Sequence, residues 1–474
     1  MEKEQQTQQQ RPFRVIVVGG GLVAITAAHV LSKADIDFVI LEQHDNLAPW
    51  IGSLLVMWPA TYRIFNQLGI QEFLRPIFDE MDDYWTIDAN DGSFVHSMKA
   101  VGNMWSRNHG YGIGLTSRPQ FVESLHSCLP ESAKARIHVK KRMTEIEVLS
   151  DGVRVHCEDG TFEEGSIVIG ADGVHSRTRQ CMEALATGKQ GGTGNTSQDV
   201  ESPYLTTYRA LVGNLPKMPD LKPSFNYQGI GYGVSPQVVT GKERGWWYVY
   251  EALEKPTRRR RRYTEQDKQE MMEKYADLHV APGYRLRDVY AANVGDIGLI
   301  NVEEGRVNRW TWGGRIVLVG DAVRKLDPHG GLGYNSGVAD VVELVNGLRR
   351  LVQITGVSKE EEDLTAAPTV DSLRSVFEKY EKTRKKDERA VHEVSRLIAR
   401  SSAWLYWWHQ CMATWLMPWA PVGRWMLDYV VAPVVSRVPV LEWLDETDLP
   451  QGVRAWVHHP LREKRNSTST LSWS

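Results

Sequence analysis

The sequence is short of cysteine, of net charge and of long apolar runs, and each shortage removes a class of function. Only four cysteines occur, Cys128, Cys157, Cys181 and Cys411, widely scattered and without a Cys-x-x-Cys pair. Neither a zinc site nor a disulfide framework organises such a chain, and a reducing compartment fits it. The 56 basic and 59 acidic side chains nearly cancel, leaving a formal charge of -3. That balance supplies no field for DNA or RNA, so nucleic acid is not an expected partner. The stretch from Met1 to Arg11 is polar and Gln-rich and lacks the apolar core of a signal peptide. It is expected to be a disordered tail, with the catalytic part facing the cytosol.

At 474 residues the chain is too long for one simple core, and two domains with added elements are expected. The run from Phe13 to Val18 has the apolar continuity of a buried strand, Leu22 to Ser32 that of an Ala- and Leu-rich helix, and Phe38 to Glu42 that of a second strand. This is one βαβ unit. Alternating apolar positions from Thr144 to Gly170, punctuated by Asp151-Gly152 and Asp159-Gly160, predict a small antiparallel meander. A Gly-, Ser- and Thr-rich stretch over residues 186–202 reads as a surface loop. Aromatic strand-like segments follow, among them Trp246 to Tyr250. A buried strand from Arg315 to Gly320 then precedes helices from Gly333 to Val352 and from Asp371 to Ala399.

The expected fold class is therefore α/β. A Rossmann-type domain is interleaved with a mixed-sheet substrate domain and followed by a helical, Trp-rich C-terminal extension. The expected division is a tail over 1–12, the dinucleotide-binding domain with the first part of the substrate domain over 13–202, and the substrate domain over 203–308. A return to the first domain with a long helix occupies 309–400, and a membrane-associated or capping segment 401–474.

Three motifs carry chemistry. The first, Gly19-Gly20-Gly21-Leu22-Val23-Ala24, joins strand to helix, with Glu42 ending the next strand. Gly19 permits a tight turn, Gly21 lets backbone approach a pyrophosphate at the helix N-terminus, and an acid about 20 residues on can hold ribose hydroxyls. Ala24 stands where a third glycine is commoner. This motif alone leaves the choice of dinucleotide open. The second is Gly170-Ala171-Asp172-Gly173, a strand ending in a turn. The third is Gly320-Asp321-Ala322 followed by Pro328-His329-Gly330-Gly331-Leu332-Gly333 and a helix. An acid at the end of a strand can accept bonds from a ribityl chain, and a helix start can stabilise negative charge on a flavin.

In this order and at these separations the motifs resemble the group A aromatic-hydroxylase-like flavoprotein monooxygenases, over roughly Arg14 to Val352. The nearest likeness is to fungal secondary-metabolite epoxidases of meroterpenoid and polyene-polyketide pathways. The resemblance implies FAD as cofactor, with Gly19, Gly21 and Glu42 on its adenosine half, Gly52 in the following loop, Arg118 at a helix start, Asp321 on the ribityl chain, and the backbone of Tyr334 toward the flavin. It also implies transient docking of NADPH, since no second glycine-rich strand-to-helix unit is present. His44 and the Pro328 to Gly333 loop depart from the family's commoner basic residue and Pro-Asn-x-Gly-Gln-Gly.

Flavin-based oxygenation needs no metal. On the substrate side, Arg209 and Tyr232 are the catalytic candidates, as groups able to orient a polar substituent or protonate an oxyanion. Against this stands their reading as an ordinary strand arginine and a packing residue. Trp246 to Tyr250 either lines an apolar pocket or packs a core. The five arginines from Arg258 to Arg262 form a solvated loop or a patch attracted to anionic lipid, the former being preferred.

Six of the 17 tryptophans fall between Trp404 and Trp425, and Ser401 to Gly423 contains no Asp, Glu, Lys or Arg. The length suits a bilayer span, whereas His409, Gln410, Pro418 and Pro421 suit an interfacial segment. A membrane hairpin, one span and a helical cap are the three readings, and membrane association is favoured because a lipophilic substrate would partition there too. The functional expectation is an enzyme that uses NAD(P)H and oxygen to oxygenate, by epoxidation, a lipophilic polyene or prenylated metabolite. Aromatic hydroxylation, a flavin reductase or dehydrogenase without oxygen insertion, and a non-catalytic membrane flavoprotein are its alternatives.

Overall fold

The structure, a computed structural model, describes residues 12–47, 54–97, 101–188, 201–356, 367–446 and 448–461. Its first layer is a six-stranded sheet in the order Thr311–Trp312, Ile316–Leu318, Ile167–Gly170, Arg14–Val18, Asp37–Leu41 and Ile137–His138. All neighbours are parallel except the outer Thr311–Trp312 pair. The central strands are buried on both faces, which explains their unbroken Val, Ile and Leu sequences. Register does the essential work: Val18 lies opposite both Gly170 and Leu41, and Gly170 lies opposite Leu318. The carboxyl ends of four strands are thus level, and all three glycine motifs emerge at one edge. That edge is where open α/β sheets bind ligands.

The expected meander is antiparallel only in part. Met143–Val148, Val153–Cys157 and Phe162–Gly165 form the antiparallel unit, whereas Ile167–Gly170 joins the parallel sheet. The Ile-Val-Ile of that last strand is buried throughout, so it cannot serve as a half-solvated hairpin strand.

The second layer is a nine-stranded mixed sheet. Leu205–Pro216, Arg244–Thr257, Val234–Thr240 and Phe225–Tyr232 are its antiparallel centre, and Asp83–Asp88 adds in parallel beside Phe225–Tyr232. Arg258 to Arg262 are all exposed just after this sheet, with Arg261 paired to Asp267 at 2.6 Å.

Two long helices, Leu332–Gly356 and Val370–Ser402, bind the layers. Between them lies a buried quartet of charges. Asp340 contacts Arg384 at 2.9 Å and Arg324 at 2.7 Å, and Glu388 contacts Arg324 at 2.7 Å and accepts from Ser336. Asp340 also accepts the Gly320 N–H at 2.9 Å, which fixes the turn that carries Asp321.

After the second long helix, Ala403–Trp404 adds in parallel to Phe225–Tyr232. Short helical pieces follow to Ser436, and the chain then runs back over the Pro59–Leu68 helix. There the fully buried Arg63 forms a two-pronged pair with Glu446 and donates to the His458 carbonyl at 2.8 Å. The 401–461 segment is therefore built into the molecule as a cap. No described helix is long and apolar enough to cross a membrane.

Removing one member of the quartet leaves a buried charge without compensation, a loss of about 3–5 kcal/mol. Asp340→Asn is therefore expected to lower the unfolding free energy by that amount, read from the midpoint of a urea transition at unchanged slope.

Candidate active site

The first glycine motif is shaped by its neighbours. Gly19 has φ +105° and no room for a side chain, since a Cβ there would lie 2.6 Å from the Ala171 carbonyl oxygen. The first and second motifs are thereby pressed together. Gly20 is equally confined by Glu42, whose Oε2 accepts its N–H at 2.5 Å. Gly21 is the opposite case: a Cβ there meets nothing within 4 Å. It starts the Leu22–Lys33 helix with no side-chain cap and no acid in the first turn, so free N–H groups face open space. An anionic diphosphate is the natural occupant of such a place.

Glu42 is clamped from its other side by His44, whose N–H and Nδ1 lie 2.8 and 2.7 Å from Oε1. A carboxylate has about four lone-pair sites, so it retains capacity for ribose hydroxyls. His44, the departure from the family pattern, thus positions the acid. In the second motif Asp172 accepts from Ser176 Oγ at 2.6 Å, Thr178 N at 2.9 Å and Thr178 Oγ1 at 3.0 Å. Burial raises the pKa of Asp172 while these bonds oppose the shift. Its role is to hold the turn, leaving Gly173, at φ +76° with nothing within 4 Å of a Cβ, as its open element.

In the third motif Asp321 is about one-third exposed and pairs with Lys325 at 2.5 Å. A Cβ on Gly333 would meet only Asp321, at 3.8 Å. The open glycines of all three motifs, together with Glu42 and Asp321, fit the diphosphate, ribose and ribityl parts of FAD. Tyr334 follows directly, but its side chain turns inward: the hydroxyl bonds Thr26 Oγ1 at 2.8 Å and the ring packs edge-on against Phe121. Any contact with the cofactor is left to its backbone. Arg118 begins the Arg118–Ser127 helix, is exposed, and borders the cavity described next. Gly52 lies outside the described residues.

Beside the third motif opens a cavity of about 490 Å³. Its sheet wall presents Val212, Val239, Tyr248 and Tyr250; Leu54, Val56 and Trp58 form another side. The C-terminal cap closes it with Ala413, Met417, Met426, Leu427 and Val431. Pro328, His329 and Gly330 of the third motif border it directly. The exposed lining is mainly apolar, with few polar groups, as in sites for greasy small molecules.

Neither catalytic candidate reaches this cavity. Side chains alternate across a strand, and Arg209 stands on the face opposite Ala210 and Val212. There Glu251 takes it as an ion-pair partner, together with Lys274 at 2.5 Å and the Tyr275 hydroxyl at 2.9 Å. Tyr232 is 72% exposed at the end of its strand. The structure thus brings neither Arg209 nor Tyr232 to the wall of this cavity. The aromatic run divides by the same parity: Tyr248 and Tyr250 face the cavity, while Trp247 and Val249 enter the core behind the sheet.

A contact within the third motif that the sequence did not announce is that of His329 with Asp327. Asp327 caps the turn, accepting the His329 N–H at 3.0 Å, and its Oδ1 lies 2.5 Å from His329 Nδ1. An Asp followed by Pro is a turn-start signal, and it brings the carboxylate and the imidazole together two residues apart.

The open space at Gly21 yields a clean test. Gly21→Val is expected to weaken FAD binding roughly a hundredfold or more, because the branched side chain occupies the diphosphate's place. Flavin-fluorescence titration measures the affinity, and thermal denaturation of the FAD-free protein should be little changed.

A model of the FAD binding domain family matches residues 13–361. The chain is 30% identical to FAD-dependent monooxygenase srdH of Neurospora crassa over 441 residues, covering 90% of this chain and 94% of that protein. It is 31% identical to FAD-dependent monooxygenase spyC of Aspergillus fumigatus, covering 83% and 80%. Among solved structures it shares its fold with Klebsiella pneumoniae HpxO complexed with FAD and uric acid, at TM-score 0.67 and 18% identity over 89% of this chain and 98% of that one. A salicylate hydroxylase substrate complex is similar at TM-score 0.63 and 17% identity, covering 90% and 97%. With the glycine motifs level at one sheet edge and relatives that match over 80% or more of their length, this chain belongs to the FAD-binding-domain family and is an FAD-dependent monooxygenase.

Proposed function

We propose that the enzyme uses NAD(P)H and oxygen to oxygenate a lipophilic substrate, by epoxidation of a polyene or prenylated secondary metabolite. The observation that carries this reading is the cavity itself: large, mainly apolar, and bordered directly by the third motif. When bound, FAD supplies the oxygen-activating redox chemistry. The chain's own residues do the rest. Glu42, Gly21 and Asp321 hold the cofactor, the start of the Leu332–Gly356 helix favours negative charge at its edge, and the cap excludes water. The names of the two fungal relatives, both FAD-dependent monooxygenases, agree with the class of reaction. Stimulation of NADPH oxidation by a polyene substrate, with label from isotopic oxygen gas in the product, is the expected result. Unlabelled product formed at the same rate would instead support a dehydrogenase.

The outer face of the cap bears on where this occurs. Trp407, Trp415, Trp419 and Trp425 are 74%, 82%, 63% and 58% exposed, although indoles ordinarily seek burial. Inward, the same segment lines the cavity through Met417 and Leu427. A short, irregular, aromatic-rich cap of this kind suits the membrane interface rather than its interior. We accordingly place the cap against a membrane, with substrate arriving from the lipid and the catalytic domain on the cytosolic side. Deleting the cap would open the cavity and blur the result, so the test replaces Trp407, Trp415 and Trp419 with serine. Sedimentation with phosphatidylcholine vesicles should weaken roughly tenfold or more, given the apolar area removed. Equal sedimentation of the two proteins would overturn membrane docking.

A further inference from the structure

We propose that Asn226 and Gln237 form a head-group site at the end of the cavity away from the third motif. It takes an uncharged group that both donates and accepts hydrogen bonds, an amide or a hydroxyl, and leaves the opposite end of the substrate at the third motif. This inference rests on the cavity being the enzyme's substrate site and names the class of molecule that site accepts.

The sheet face that lines the cavity is not uniform. On Arg244–Thr257 and Leu205–Pro216 it presents Tyr248, Tyr250 and Val212; on Phe225–Tyr232 and Val234–Thr240 two amides, Asn226 and Gln237, stand among Ile230 and Val239. Gln237 lies opposite Gln228, and Asn226 opposite Val239, so Asn226 and Gln237 are diagonal neighbours on one face. Both border the cavity although they are only 8% and 6% exposed. One hydrogen bond joins them, from Gln237 Nε2 to Asn226 Oδ1 at 3.1 Å, and no other ties either side chain to a described residue. A single bond between two amides leaves one carbonyl oxygen and further N–H groups open, whichever amide donates. Those atoms are not among the buried side-chain atoms sealed away without a partner, so they keep surface open to the cavity that the two residues border. Gln228 is the contrasting case, since its amide is consumed by Ser235 Oγ at 2.6 Å and by two carbonyls of its own hairpin.

The open groups select what can lie against them. An apolar chain pressed there strips water from a carbonyl and an N–H without replacing it, which costs roughly tenfold or more in affinity for each group. A carboxylate only accepts and an ammonium only donates, so neither answers both. The permanent cations bordering the cavity are Arg118 and Lys325, and Lys325 is paired with Asp321 of the third motif, so an anionic group is drawn elsewhere. The polar row continues without charge through Thr86, which lies opposite both Gln228 and His96. Burial lowers the pKa of His96 and keeps its ring neutral.

The pair also sets a distance. His329 of the third motif lies against the Tyr250 ring, at 3.7 Å between centroids. Asn226 is opposite Val239, and Val239 opposite Trp246, four residues before Tyr250 on the second strand over. At the spacing and rise of a sheet, Asn226 and Tyr250 are roughly 15 Å apart. Extended isoprene units span such a length, so a head group held by Asn226 and Gln237 brings a distal double bond to the third motif rather than one beside the head.

The test uses the FAD-loaded enzyme and calorimetric titration with octanamide, octanol and methyl octanoate, of which the ester alone has no donor. Asn226→Leu and Gln237→Met should each lower the octanamide-to-ester affinity ratio roughly tenfold relative to wild type. FAD affinity and the melting midpoint should be little changed. The double variant, which leaves neither amide orphaned, gives the same readout if a single variant does not fold. Octanol measured the same way assigns the head group: an equal fall shows that hydroxyl and amide are both taken, and no fall restricts the site to amides. An unchanged octanamide-to-ester ratio in all the folded variants would overturn the proposal. So would an equal loss of affinity for ionised octanoate in the same variants. Failure of every probe to bind the wild type would remove the cavity as the substrate site and this proposal with it. A protein that consumes NADPH without inserting oxygen would refute the oxygenase reading and leave the binding result intact.

Discussion

The neutral quartet of Arg324, Arg384, Asp340 and Glu388 is the constraint on which the site depends. Four ionised groups are withdrawn from water, which is tolerable only because two positive and two negative charges meet at hydrogen-bonding distances. The four charges come from three pieces of the architecture. Arg324 follows the Asp321 turn, Asp340 sits in the Leu332–Gly356 helix, and Arg384 and Glu388 belong to the Val370–Ser402 helix. Asp340 then reaches the Gly320 backbone. The third motif is therefore held from behind by electrostatics, which leaves its front face free for a ligand. A hydrophobic substitute would pack the helices equally well but would not specify the angle of that turn.

The parts of the molecule that could be read from sequence are those set by local backbone rules. Gly19 and Gly21 stand where a tight turn meets a helix start, Glu42 stands at a strand end, and Asp321 begins a turn after a strand of Ile-Val-Leu. Each announces itself within a few residues, and parallel register brings all of them to one edge. The substrate side obeyed no such rule. Arg209 and Tyr248 lie on strands of one sheet, and which faces the cavity depends on strand pairing and on the elements packed behind. Parity is invisible when both faces of a strand are buried. His329 was legible only as a departure from a family pattern, because its contact with Asp327 across Pro328 is a matter of side-chain placement that no sequence displays.

The C-terminal segment shows how two readings of one composition can both have content. A charge-free, Trp-rich stretch suggests a membrane, and its inner residues also complete the cavity wall. Its helices are short and interrupted, as Pro418, Pro421 and Pro433 dictate. Such pieces bury one side by leaning on the Val370–Ser402 helix and leave bulky indoles on the other. Composition recorded the total apolar content; only packing divides it between a cavity and an outer surface.

The contact between Arg63 and Glu446 spans 383 positions of the chain. Gln67 likewise receives the Leu441 N–H at 3.0 Å and donates to the carbonyls of Leu441 and Leu444. A helix formed early in synthesis thus keeps its buried guanidinium and amide unsatisfied until the far end of the chain has left the ribosome. The sheet bearing the first glycine motif assembles from strands that also wait for residues 316–318. Closure of such long loops is slow, since entropy is lost before contacts reward it. Until those distant contacts form, a chain of this topology leaves apolar surface and the Arg63 guanidinium without the partners they have in the folded protein.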